Sequence, residues 1–126
     1  MRTPDNAVAM GYCFGGAAVL EWARSGANLK RFATFHGGLK TPQGQNYSQI
    51  RGMILVMHGT ADSAISMDQF AGLAKKLETA GVDHEMITYG GTQHAFTVFG
   101  GSRYQGTADK QSWKRFTKFL ADHLKK

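Results

Sequence analysis

Cys13, Asp62 and His94 are the residues of this 126-residue chain whose types and settings suit nucleophilic chemistry. Cys13 is the single cysteine and sits in Gly11-Tyr12-Cys13-Phe14-Gly15, directly after an apolar run and before a helix-like segment. That spacing fits G-x-[S/C]-x-G, a sharp strand-to-helix turn that holds a nucleophile exposed and strained. The flanking glycines let backbone and helix approach closely. A thiol at a helix N-terminus feels the positive end of the dipole, which is expected to lower its pKa and raise its thiolate fraction. An imidazole at His94 would serve as base or ion-pair partner, with the carboxylate of Asp62 fixing that ring's orientation and tautomer.

Each residue also has a plainer reading. A cysteine between glycines is often only a small buried side chain. An aspartate after His58-Gly59 is a good cap or turn former, and a histidine in Gly90-Gly91-Thr92-Gln93-His94 is commonly a surface residue. What lifts the three together is their order and their placement on the expected strands. Asp68 and Asp83 are weaker acid candidates, one inside an expected helix and the other at a strand start. His36 and His58 fall near strand ends, where structural hydrogen bonding is the default role.

The elements that must position these residues alternate regularly. Ala7–Tyr12 reads as a short apolar strand, Gly15–Arg24 as a helix closed by Ser25-Gly26, and Arg31–Phe35 as a second strand. Leu39–Arg51 carries Pro42, Gly44 and several polar residues and reads as loop. Met53–His58 is apolar throughout, as expected of a strand covered on both faces. A helix is expected from Met67 to Ala80, with Ser66 and Gln69 as a capping box and Gly81 as its stop. His84–Tyr89 is the fourth strand, and Thr107–Leu124 a closing amphipathic helix. Such alternation predicts an α/β architecture, about four parallel strands with helices on both faces. Ligands of such sheets bind beyond the carboxyl ends of the strands. Cys13, Asp62 and His94 each fall at or just past one of those ends.

Bulk properties bound the rest. The chain is one domain's worth, residues 1–126, with 42% apolar and 19% charged residues, an ordinary globular balance. No apolar run approaches the roughly 20 residues needed to cross a bilayer, so no membrane partner is expected. One cysteine rules out an intrachain disulfide framework and makes a reducing cytoplasm the default location. The net charge of +6 comes mostly from Lys110, Lys114, Arg115, Lys118, Lys125 and Lys126. These alternate with Trp113, Phe116, Phe119, Leu120 and Leu124 at helical spacing, which describes the solvated face of an amphipathic helix rather than a nucleic-acid interface. No two ligands fall at i, i+4 helix spacing or in a Cys/His cluster, so neither a metal nor another cofactor is expected.

At its motifs the sequence resembles the dienelactone hydrolase family, whose members have the α/β-hydrolase fold. VAMGYCFGG is similar to the family's nucleophile strand and elbow, HGTAD to its acid loop and GGTQHAF to its histidine loop. YQGTADKQSWKRFTKFL resembles its closing helix. The resemblance implies Cys13 as nucleophile, Asp62 as acid and His94 as base, in the chain order α/β-hydrolases use. It also implies the backbone N–H of Phe14 as one oxyanion-hole donor. Tyr12, His36, Phe96 and Val98 are the expected lining of a substrate pocket. The expected reaction is hydrolysis of a carboxylic ester or lactone, a small-molecule substrate, through a thioester acyl-enzyme.

Two departures shape these expectations. The resemblance covers only the C-terminal half of the family fold, with Met1-Arg2-Thr3-Pro4 where four further strands would stand. That half supplies the second oxyanion donor, a glutamate that engages the resting cysteine, and part of the pocket. Losing one oxyanion donor costs about 10²–10³ in turnover. Without that half the strand 7–12 becomes an apolar edge, a template for pairing with a second copy or with a complementing N-terminal half. An inactive half-domain acting as a binding or assembly module is the alternative. The second departure is Val98, where the dienelactone enzymes place an arginine for the substrate carboxylate. This points to broader esters or lactones, with Arg103 the nearest substitute cation.

Overall fold

A computed structural model describes residues 7–124, the last two for their backbone alone. Met1–Pro4, Lys125, Lys126 and the side chain of Leu124 therefore lie outside the described residues. The chain runs β1 (Val8–Tyr12), α1 (Phe14–Arg24), β2 (Arg31–Phe35), β3 (Met53–Gly59), α2 (Met67–Thr79), β4 (His84–Tyr89) and α3 (Gly106–Leu124). The four strands form one sheet in sequence order, β1-β2-β3-β4, and every pairing is parallel.

Alternation along the strands builds two cores. Phe32, Ile54 and Val56 face α1 and α2 and pack with Val19, Leu20, Ala23, Leu73 and Leu77. The intervening residues Ala33, Phe35, Leu55 and Met57 face α3, where Phe96, Ala108, Phe116 and Phe119 complete a second cluster. Burying side chains of this size stabilises by about 1.5–3 kcal/mol each. Ile54 to Gly59 are all buried, which explains the uninterrupted apolar run of β3.

Helix ends follow the sequence signals. The Ser66 hydroxyl accepts from the Gln69 N–H at 3.2 Å, and Gly81 takes φ +71° just past α2. Residues 39–51 hold no helix or strand. β1 pairs only with β2 among the described residues, and so forms one rim of the sheet.

The elbow depends on small residues. A Cβ on Gly11 would lie 2.3 Å from the Gly15 carbonyl oxygen, and one on Gly16 would lie 2.9 Å from the Gly37 Cα. The turns after β1 and β2 thus touch backbone to backbone. Gly15 differs from the expectation for the motif: a Cβ there meets nothing within 4 Å.

Candidate active site at the carboxyl ends of the strands

The non-glycine residues with positive φ among the described residues are Cys13 (53°), His36 (39°) and Ala95 (61°). Such backbone costs about 1–3 kcal/mol per residue and persists only where the surroundings enforce it. Enforcement is visible at two of them. Cys13 N–H donates to the Phe35 carbonyl at 3.1 Å, and His36 N–H to the Met57 carbonyl at 2.9 Å. Each strand's ladder therefore continues one residue past its end, to the point where the chain turns.

These turns gather one cluster of side chains. The Cys13 Sγ lies 3.1 Å from His36 Nδ1, and His36 Nε2 lies 2.8 Å from Thr97 Oγ1. On the far side, His94 Nδ1 lies 2.8 Å from Asp62 Oδ2. One ligand atom from each of Cys13, His36 and His94 lies within 4.8 Å of the others. A carboxylate only accepts, so Nδ1 of His94 carries the proton, and in the neutral ring Nε2 keeps its lone pair. The other oxygen of Asp62 accepts from the backbone N–H groups of Ala64 and Ile65 at 2.9 and 2.8 Å. Below it, His58 Nε2–H donates to the Ile65 carbonyl at 2.9 Å, bracing the same loop.

The electrostatics separate the groups. Burial pushes the Cys13 thiol up, the charge of Arg103 pulls it down, and that of Asp62 pushes it up again, for a net rise. This is opposite to the lowering expected from the helix N-terminus, and burial of Sγ is its largest cause. Arg103 is nonetheless close enough to act on the thiol. Burial first, then the charge of His94, lowers His36 to about 4, so its ring is neutral near pH 7. Burial alone would raise Asp62, but the Ile65 N–H, the His94 ring and the Ala64 N–H together bring its carboxyl below the ordinary value. A protonated thiol donates to Nδ1 of His36, which assigns Nε2–H of that ring as donor to Thr97.

The expected pocket residues divide. Tyr12 is partly exposed and stacks on Phe35, with ring centroids 4.4 Å apart. Val98 is half exposed at the rim. Phe96 is wholly buried: its ring lies edge-on behind His36 at 4.9 Å and beside Tyr89. It supports the site from beneath instead of lining an open wall. Phe14, at the head of α1, has an N–H with no acceptor within its own helix and a side chain 86% exposed. Nothing local in the sequence marks Thr97 or the contact of His36 with the thiol. The fold assembles Cys13, His36 and His94 from distant positions, which local ligand spacing does not register.

The sequence profile of the dienelactone hydrolase family matches residues 1–124. The chain belongs to the dienelactone hydrolase family. It is 32% identical to the solved structure of a dienelactone hydrolase-like promiscuous phosphotriesterase from metagenomic libraries, with a TM-score of 0.83. That match covers 91% of this chain and 51% of the other. A candidate carboxymethylenebutenolidase from Synechocystis is 25% identical over 97% of this chain and 52% of its own length. Protein K02A2.1 of Caenorhabditis elegans, of unassigned function, is 28% identical over 90% of this chain and 78% of its own. This dienelactone hydrolase family chain thus spans about half the length of the solved relative and of the cyanobacterial one. The four parallel strands and three helices of the described residues form an α/β-hydrolase-like fold, and its family is one of hydrolases. No helix among the described residues is long and apolar enough to cross a membrane.

Proposed function

We propose that the chain carries the catalytic centre of a cysteine-dependent hydrolase of carboxylic esters or lactones, with Cys13, His94 and Asp62 in named roles. The observation that carries this reading is the His94–Asp62 hydrogen bond of 2.8 Å beside a thiol held on a left-handed turn. At rest the Cys13 thiol leans on His36, too weak a base to ionise it near neutral pH. His94, oriented by Asp62, takes the thiol proton as Sγ attacks the carbonyl carbon and the C–O bond to the leaving alkoxide breaks. The imidazolium returns its proton to that alkoxide. The neutral imidazole then takes a proton from a water that attacks the thioester, and passes it to the departing thiolate, releasing the acid and restoring the thiol. The N–H of Phe14 serves as one donor to the oxyanion. A phosphotriester is a second electrophile to assay, given the activity named for the structural relative.

Turnover of p-nitrophenyl acetate by the chain and by Cys13→Ala and His94→Ala tests the reading. Loss of turnover in Cys13→Ala and a fall of about 10³ or more in His94→Ala support it. Turnover surviving both substitutions overturns it.

A second reading is favoured by the rim at β1, unpaired on one side among the described residues, and the exposed Phe14 that follows it. In it the chain works, or binds, only with that rim covered by a second copy or by a complementing strand-bearing segment. Light scattering at micromolar concentration checks the self-association arm. A monomer active without addition removes this reading.

A further inference from the structure

We propose that Cys13, His36 and His94 also form a binding site for a soft divalent cation of the Zn²⁺ class, whose occupancy silences the thiol. As an inhibitory device this rests on the reading of Cys13 as nucleophile; as a metal site it rests on geometry alone.

The three ligand atoms lie within 4.8 Å of one another, with Sγ and Nδ1 of His36 at 3.1 Å. A tetrahedral zinc centre, with Zn–S near 2.3 Å and Zn–N near 2.0–2.1 Å, needs ligand separations of about 3.3–3.6 Å. The Sγ–Nδ1 pair must open by a few tenths of an ångström and the widest separation close by up to about 1.5 Å, through rotation of the partly buried Cys13 and His94 side chains. Both imidazoles, moreover, are held from behind. Asp62 takes the Nδ1 proton of His94, and Thr97 sits 2.8 Å from Nε2 of His36. Outer partners of this kind fix which ring nitrogen offers its lone pair and raise its basicity as a ligand. Here they leave the Nδ1 lone pair of His36 facing Sγ at 3.1 Å and leave Nε2 of His94 free to ligate.

One thiolate and two imidazoles, with no carboxylate among them, select zinc-like cations over magnesium or calcium. Cys13 and His94 are only partly buried, which leaves an entry path and a fourth position for water. On binding, the cation replaces the thiol proton, one proton leaves to buffer, and the sulfur lone pair that would attack a carbonyl is committed to the metal.

Calorimetric titration of the chain with Zn²⁺, in two buffers of different ionisation enthalpy, tests the site. The expected result is one-to-one binding with release of about one proton. Cys13→Ala and His94→Ala should each weaken binding by about 100-fold or more, and Thr97→Val by about 10–100-fold. Because His36 is buried, the partly exposed His94 and the isosteric Thr97 change serve as variants least at risk of misfolding. Co²⁺ in place of Zn²⁺ should give a thiolate charge-transfer band that Cys13→Ala abolishes. Binding to Cys13→Ala as tight as to the unsubstituted chain overturns the proposal, as does uptake without proton release. Zinc bound as described by a chain with no esterase turnover leaves the site standing and removes the proposed function. Turnover that persists at saturating Zn²⁺ overturns the inhibitory role.

Discussion

Nδ1 of His94 and Oδ2 of Asp62 meet at 2.8 Å across a sequence separation of 32 residues, while Oδ1 is clamped by two backbone N–H groups. Every acceptor position that matters on this carboxylate is thus assigned before any substrate arrives. Asp62→Asn preserves the side chain's shape but allows its amide to donate to the ring, which favours the wrong tautomer of His94. Turnover should fall by about 10³–10⁴ with little change in thermal midpoint. Comparing kcat with the unfolding curve of the same variant checks it.

Gly15 and Gly16 are neighbours with opposite environments. A Cβ on Gly16 meets the Gly37 backbone at 2.9 Å, whereas one on Gly15 has open space. Gly16→Ala should destabilise by about 1–3 kcal/mol and displace Cys13. Gly15→Ala should be neutral or stabilise by up to about 1 kcal/mol through helix propensity. Denaturant midpoints of the pair check this, and equal effects would contradict the packing described.

Cys13 occupies φ 53° and ψ −121°, a region glycine tolerates far better than any residue with a Cβ. Cys13→Gly and Cys13→Ala both remove the thiol. Cys13→Gly should nevertheless be the more stable by about 1 kcal/mol, read as a higher thermal midpoint.

The wholly buried His36 has its pKa lowered from 6.5 to about 4. Between those values the unfolded chain binds a proton that the folded chain refuses, so stability rises with pH across the window and is lost on acidification. The limiting contribution is about 3 kcal/mol. With a chelator present, denaturant midpoints from pH 7 to pH 4 should fall more steeply for the unsubstituted chain than for His36→Gln.

The positions of these residues along the fold were legible because strand ends carry strong local signals. Apolar runs stop at Tyr12, Phe35 and His58, and a glycine-rich turn follows β4, so Cys13, Asp62 and His94 could be set at the correct rim of a parallel sheet. Capping by Ser66 and the stop at Gly81 were legible for the same reason. The direction of the thiol was not. It depends on the left-handed turn at His36, which swings the ring under Cys13, and on Thr97, 61 residues away, which holds it there. Phe96, the last residue of the histidine loop, was expected as pocket lining, yet it lies wholly buried just past the left-handed Ala95. The thiol's upward shift was equally invisible, since burial of a sulfur is a tertiary property.

Cys13, His36 and Asp62 follow β1, β2 and β3 in turn, and His94 follows β4. No two adjacent strands, and no helix taken with one strand, carry a working subset. Loss of the proposed turnover in urea should therefore track cooperative melting of the whole sheet, with no active fragment surviving partial unfolding. Whatever chemistry the chain performs doubles as a gauge of its global integrity.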